Sequence, residues 1–147
     1  MTQPEDQDSD FNEAAIFHEG LKLFNGQEWF DAHETWEDIW VMASGSRKLF
    51  YQGLIQCAVV LEHVRRGNPR GVRSVWKTAQ TKFVGLPNVY MGINVPKLLA
   101  DEYQAIKAIL DLPLDRFDPK LGRGQVLPYD SHQAPEIHLC CDPFENN

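Results

Sequence analysis

The sequence predicts an all-α protein of about five helices, stacked as antiparallel hairpins that resemble tetratricopeptide repeats, with an irregular C-terminal tail. Three observations favour this class. Apolar residues recur at three- and four-residue spacing through most of residues 11–110. Turns rich in glycine or proline divide this region into segments of helical length. Apart from Gln125-Val126-Leu127, no stretch has a strand pattern.

The turn residues indicate where each helix begins and ends. Asn25-Gly26 and Gly67-Asn68 end helices, because glycine accepts the left-handed conformation found at helix C-termini. Pro69 and Pro96 suit the first turn of a helix. Residues 85–96 are predicted to form a loop. The predicted helices span about 11–24, 28–43, 47–66, 69–83 and 96–110.

A shared residue pattern in the second and fourth helices predicts that the hairpin unit is repeated. Trp29, Ala32 and Trp36 have the same spacing as Pro69, Val72 and Trp76, forty residues later. Tetratricopeptide units repeat at about 34 residues and usually occur in larger numbers. The pattern therefore predicts a stacked-hairpin architecture rather than a regular array.

Composition and length predict one domain with two irregular ends. The chain has 147 residues, which suffices for a single core. Residues 1–10 are acidic and are predicted to be a disordered leader, followed by a helical domain at 11–110. After the fifth helix the apolar periodicity is lost. Residues 111–147 are therefore predicted to be a tail that packs on the domain or trails from it.

Charge and cysteine content exclude several functional classes. The net charge is −7, which argues against nucleic acid and anionic membranes as partners. No secretory signal is visible, and no apolar stretch is long enough to span a bilayer. Three cysteines do not suggest a disulfide framework, so we predict a cytoplasmic protein. The composition leaves a homo-oligomer open.

Six polar residues lie on or beside the apolar faces of the second and third helices. In the second helix, His33 and Glu37 are one turn apart, beside a face of three tryptophans. In the third helix, Gln52, Gln56 and His63 fall within about 40° of one another in an otherwise apolar sequence. Packing of the two helices would bring these stripes together. The predicted pocket comprises His33, Glu34, Glu37, Gln52, Gln56 and His63.

Three interpretations of this cluster remain open at the level of sequence. The pocket could recognise a small polar ligand or a short peptide. Alternatively, His33, Glu37 and His63 could hold a divalent metal in a hydrolase, although the spacing is not that of a di-metal helix motif. A third interpretation is a structural hydrogen-bond network that sets helix register. No nucleophile with a recognisable spacing accompanies the cluster, and no cofactor is predicted.

Two further features carry weaker functional predictions. Arg66, Arg70 and Arg73 would form a stripe able to contact an anion, or simply a solvated basic face. Cys57 lies in an apolar run and is predicted to be in the core. The vicinal Cys140-Cys141 pair near His138 lacks the spacing typical of zinc sites.

Two sequence blocks carry a family resemblance. The first block comprises Phe24-Asn25, Trp29-Phe30-Asp31-Ala32-His33-Glu34, Glu37 and Trp40. The second comprises Phe50 to Gln56, His63 and Arg66-Gly67-Asn68. They resemble the signatures FN…FFEAHE..E..W and F.QGLIQ.A…H…RGN of domain-of-unknown-function family 309, found in bacteria and archaea. Asp31 stands where glutamate is usual, and Val72 where alanine is frequent.

The resemblance covers about residues 24–80, and about 110 with the fifth helix. It implies a compact, all-helical fold and no assigned activity. It also implies that the six polar positions of the predicted pocket belong to the family signature. The tail after Asp111 lies outside the resemblance.

Overall fold

The computed structural model describes residues 11–113 and 126–145. Within these ranges the protein is all-α, as predicted, with five α-helices. The helices are α1 (Glu13–Asn25), α2 (Trp29–Trp40), α3 (Gly45–Arg65), α4 (Pro69–Thr81) and α5 (Val95–Leu110). The predicted leader at 1–10 lies outside the described residues, as do residues 114–125 and 146–147 of the predicted tail, which include Gln125. Val126 and Leu127 do not form a strand.

Asparagine side chains begin three of the helices. Asn12, Asn68 and Asn94 each accept a hydrogen bond from the backbone N–H three residues later, at 2.9, 3.1 and 3.1 Å. Such a bond satisfies an N–H group that has no partner within the helix. Pro69 and Pro96 follow in the first turns of α4 and α5, where their missing N–H costs nothing.

A small β-hairpin interrupts the segment that was predicted to be a loop. Strands β1 (Val89–Tyr90) and β2 (Ile93–Asn94) pair in antiparallel orientation. The two residues between them, Met91 and Gly92, both have positive φ, at 52° and 76°. Such a turn matches the twist of the strands that it joins. With only two residues in each strand, no alternation was long enough to predict it.

Consecutive helices pack against each other, and α3 lies between α2 and α4. The repeated pattern occupies equivalent positions, since all six of its residues are buried. These are Trp29, Ala32 and Trp36 on α2, and Pro69, Val72 and Trp76 on α4. Burial of three large indoles supplies much of the hydrophobic driving force. The hairpin repeat proposed from spacing is therefore a repeat of core positions.

The described part of the C-terminal segment, residues 126–145, packs on the helical domain. It contains one short 3₁₀ helix, Ser131–Gln133, and otherwise has no regular structure. Ile137 is buried in the core, and Phe144 packs edge-on against Phe17 of α1. Among the residues described, no helix is long and apolar enough to cross a membrane.

Candidate functional site

The candidate site is a half-open face of α3, here called the α3 groove. Its floor consists of Gln52, Gln56, Val59 and His63, which follow at helical spacing and are all partly exposed. Residues on either side of this stripe are buried against the neighbouring helices. The floor therefore runs along α3 with α2 on one side and α4 on the other.

Three cations in or directly after α3 lie over aromatic rings of α2, and two of them, Lys48 and Arg66, mark the ends of the α2 wall. The Lys48 ammonium is 4.8 Å from the centre of the Trp40 ring. Toward the other end of α3, the Arg66 guanidinium is 5.6 Å from the centre of the Phe30 ring. Both distances fall within the range of cation–π attraction. The opposite order of these residues along the two helices shows that α2 and α3 are antiparallel.

His33 and Glu37 lie on the same side of α2 as Phe30. Nε2 of His33 donates a hydrogen bond to Oε2 of Glu37 at 3.1 Å, as expected for polar residues one turn apart. The His33 ring also packs edge-on against Phe30, with centroids 5.7 Å apart. Glu34 and Glu37 are both exposed, whereas His33 is partly buried. Thus two of the three predicted α2 residues are joined to each other at the groove wall.

His63 contacts α4 at the opposite wall. A Cβ atom at Gly71 would lie 2.5 Å from the imidazole, so only glycine leaves room for the ring there. Nδ2 of Asn68 lies 3.2 Å from Nδ1 of His63, where the amide donates to the ring nitrogen. Asn68 also caps α4 through its side-chain oxygen. His63 is therefore held by the turn between α3 and α4.

Among the buried polar atoms that have no hydrogen-bond partner within the described residues, two bear on the α3 groove. They are Oε1 of Gln56, on the groove floor, and Nε1 of Trp40, beneath Lys48. One is an acceptor and the other a donor. A buried polar group without a partner costs about 1–3 kcal/mol. A ligand that bonded to these atoms would supply the missing partners.

The arrangement does not gather metal ligands. The described residues contain no group of three His, Cys, Asp or Glu side chains able to hold a metal ion. Accordingly, His33 and Glu37 pair on the α2 wall while His63 lies against α4. His138 is 3.0 Å from Glu136, and the neighbouring Cys140 and Cys141 are free thiols.

The predicted arginine stripe is divided among three environments. Nε of Arg66 donates to Glu62 at 2.9 Å. Arg73 donates to the carbonyls of Leu112 and Ile109, and so stabilises the C-terminus of α5. Arg70 is exposed on α4. Because Arg66 and Arg73 are engaged within the chain, an anion contact gains no support from the structure.

A cavity at the turn between α2 and α3 was not predicted. It has a volume of about 320 Å³ and is lined by Glu13, Ser44, Arg47 and apolar side chains. Oε2 of Glu13 accepts hydrogen bonds from Tyr51 and from Arg47, the latter at 3.1 Å. Burial, together with the bond to Glu13, raises the pKa of Tyr51. No local sequence signal joins Glu13 to residues more than thirty positions away.

Glu102 of α5 is a second residue that the sequence analysis missed. It is fully buried, and neither carboxylate oxygen has a partner among the described residues. Burial raises the pKa of this carboxyl well above its ordinary value. The sequence did contain a signal for the burial of Glu102, because this residue falls among the apolar positions Leu98, Ala105 and Ile109 of α5.

The fold defines a class of small helical-hairpin domain. The chain belongs to the family called domain of unknown function 309 (DUF309), whose family model matches residues 17–75. This range contains all six residues of the predicted pocket.

Two relatives support the assignment. The chain is 30% identical over 89 residues to an uncharacterised protein of Aquifex aeolicus (strain VF5). That match covers 60% of this chain but only 27% of the relative's length. The crystal structure of a conserved hypothetical protein from Thermus thermophilus superimposes with a TM-score of 0.56 at 31% identity. The superposition covers 62% of this chain and 95% of that protein. Neither description names an activity.

Proposed function

We propose that the α3 groove is a binding site for a small polar ligand or a short peptide, without covalent chemistry. The observation that carries this proposal is Oε1 of Gln56, which is buried and has no hydrogen-bond partner among the described residues. A ligand N–H group bonded to this oxygen would remove the cost of the buried acceptor. Gln56 as a residue is partly exposed, so a rotation of its side chain would bring Oε1 to a ligand on the surface of α3.

The length of the groove favours an extended ligand. Gln52 and His63, the two ends of the floor, are eleven residues apart on α3, which corresponds to about 17 Å at about 1.5 Å per residue. An extended peptide rises about 3.3 Å per residue, so about five residues would span the floor. A peptide also offers the alternating N–H and C=O groups that Gln56 and Trp40 could bond.

A hydrolytic function receives less support. The alternative required His33, Glu37 and His63 to converge on one metal ion. Instead, His33 is bonded to Glu37, while Nδ1 of His63 accepts from Asn68 near α4. A stoichiometric divalent ion in protein purified without chelator would nevertheless overturn the metal-free proposal, and metal analysis provides that check.

Replacement of Gln56 by Leu separates a binding site from a structural network. Because Oε1 has no partner among the described residues, we expect the free energy of unfolding to hold or rise in Gln56→Leu. A register-fixing network would instead lose about 1–3 kcal/mol. Chemical denaturation of the variant and the wild type measures this difference.

The matching binding experiment uses a mixed library of short peptides and polar small molecules. Ligands of the groove should shift the NMR signals of the Gln52 and Gln56 side-chain amides and of the Trp40 indole. Gln56→Leu should weaken their binding by about tenfold, the value of one hydrogen bond. Gln104→Leu, on the exposed side of α5, is the matched amide control. Ligands that bind Gln56→Leu and wild type equally would contradict the proposal.

A further inference from the structure

The C-terminal segment lies on the helical domain in the manner of a bound peptide. Along residues 135–139 the side chains alternate between the inside and the outside. Pro135 and Ile137 are buried and Leu139 is partly buried, whereas Glu136 and His138 are exposed. Alternation with a period of two is typical of an extended chain bound on one face. These five residues are here called the strap.

Asn25, the last residue of α1, binds the backbone of the strap through both ends of its side-chain amide. Its Oδ1 accepts from the N–H of Ile137 at 2.7 Å, and its Nδ2 donates to the C=O of Ile137 at 2.9 Å. Paired strands bond each other through the same two groups of a residue. The contact therefore recognises an extended main chain and does not depend on the side chain of the residue bound.

Further contacts to the main chain surround this pair. The N–H of Cys140 donates to the C=O of Gly92 at 2.8 Å. Nε2 of Gln27 donates to the C=O of Ser131 at 3.1 Å. At Gly92, a Cβ atom would lie 2.3 Å from the carbonyl oxygen of Cys141, so the turn of the β-hairpin approaches the segment as closely as glycine allows.

One side chain provides an apolar anchor. Ile137 retains 5% of its exposure and belongs to the core. A cavity of about 50 Å³ remains beside it, lined by Ile93, Lys97 and Leu98 among others. Main-chain bonds combined with a pocket for one side chain are the usual features of extended-peptide recognition.

The family model matches only part of the surface that holds the strap. Asn25 lies within the matched residues 17–75, whereas Gly92 and the residues that line the Ile137 pocket lie beyond them, as the strap does. The Thermus thermophilus protein is covered to 95% by only 62% of this chain. More than a third of this chain therefore has no counterpart in that relative.

We propose that the surface formed by Asn25, Gly92 and the Ile137 pocket is a peptide-binding site, filled here by the chain's own strap. The site accepts an extended segment with one aliphatic side chain at the central position. A peptide with these features competes with the strap for the same contacts. This inference is independent of the α3 groove, which uses none of these residues.

The test uses a synthetic nonapeptide with the sequence of residues 131–139, which avoids both exposed cysteines. In wild-type protein the tethered strap competes at an effective concentration on the order of millimolar. The full-length variant Ile137→Ser weakens the strap, so we expect it to bind the nonapeptide at least about tenfold more tightly than wild type does. Fluorescence anisotropy of a labelled peptide measures both affinities.

Two controls test the contacts themselves. N-methylation of the peptide's isoleucine removes the N–H group that donates a hydrogen bond to Oδ1 of Asn25. This change should weaken binding of the peptide by about tenfold. In the Ile137→Ser protein, Asn25→Ala should have an effect of similar size, whereas Asn88→Ala, at an exposed site away from the strap, should have none.

Two results would overturn the proposal. One is a folded Ile137→Ser protein that does not bind the nonapeptide. The other is equal binding of the normal and N-methylated peptides. If Ile137→Ser does not fold, hydrogen exchange of wild type decides instead. Excess peptide should accelerate exchange of the Ile137 amide by displacing the strap, and unchanged exchange would count against displacement.

Discussion

At the scale of single residues, the most consequential side chain outside the groove is that of Glu102. Its carboxyl is buried near Cys57 of α3 and Tyr129 of the C-terminal segment, whose pKa values respond to it. Burial raises the pKa of Tyr129 to about 12, with a smaller contribution from Glu102. A carboxyl in this environment remains protonated at a pH where an exposed one is ionised.

Stability should therefore fall as pH rises above the ordinary pKa of glutamate, about 4.3. In the unfolded chain Glu102 ionises near that value, whereas in the folded chain its raised pKa keeps the proton bound. Between these two pKa values the folded state binds more protons than the unfolded state. The contribution of Glu102 to the free energy of unfolding is therefore fully present below about pH 4.3, and it decreases as the pH rises toward the folded pKa. The loss approaches about 1.4 kcal/mol per pH unit.

Glu102→Gln removes this titration while preserving the shape of the side chain. We expect the variant to gain stability relative to wild type as pH increases from about 5 to about 8. Urea unfolding at each pH measures the difference, and Asp101→Asn, at the partly exposed neighbouring residue, is the control. If the free energies of unfolding of Glu102→Gln and wild type changed with pH in the same way, Glu102 would not have a raised pKa in the folded state.

At the scale of secondary-structure elements, the close approach of α1 and α2 depends on Gly20. The indole of Trp36 covers this glycine and donates from Nε1 to the C=O of Phe17 at 3.2 Å. A Cβ atom at position 20 would lie only 2.0 Å from Nε1. Neither helix propensity nor periodicity predicts such a contact, because it joins different helices.

Gly20→Ala tests this packing. In an open helical site the change would stabilise by up to about 1 kcal/mol through helix propensity. Here we expect a loss of about 1–3 kcal/mol, because the added methyl group must displace the indole. Gly26→Ala, whose Cβ would lie 3.3 Å from the nearest atom, should change stability much less. Thermal unfolding followed by circular dichroism compares the two, and equal effects would exclude the steric explanation.

At the scale of the whole molecule, the C-terminal segment is joined to the helical domain by a few directional contacts. In addition to Asn25, they include His18, whose Nε2 lies 3.2 Å from Asp142. Ile137 also belongs to the apolar core, but α2 and α3 contribute far more of its buried side chains. Segments with fewer buried apolar side chains open at lower free energy than core helices do.

Asn25→Ala should therefore loosen the segment selectively. We expect faster hydrogen exchange at the Ile137 and Cys140 amides, with unchanged protection in the centres of α2 and α3. Exchange followed by mass spectrometry resolves these regions. A uniform loss of protection would show instead that the segment and the helices unfold as one unit.

Much of the architecture and part of the site were predictable because their signals are local. Helix positions followed from apolar spacing, and the asparagine caps lie next to the turns they stabilise. The bond between His33 and Glu37 joins residues one turn apart and could be expected from sequence. The surroundings of this hydrogen bond could not be expected from the sequence, since the contact of Arg66 with Phe30 depends on how α2 and α3 pack.

The sequence by itself determined the helical class, the repeat of buried positions and the polar stripe on α3, because these depend on side chains within a few turns of each other. Tertiary structure decided which polar groups found partners. It left Oε1 of Gln56 without a partner among the described residues, buried Glu102, and joined Asn25 to Ile137 across 112 positions. Contacts of that range depend on the relative placement of whole elements, which no local pattern specifies.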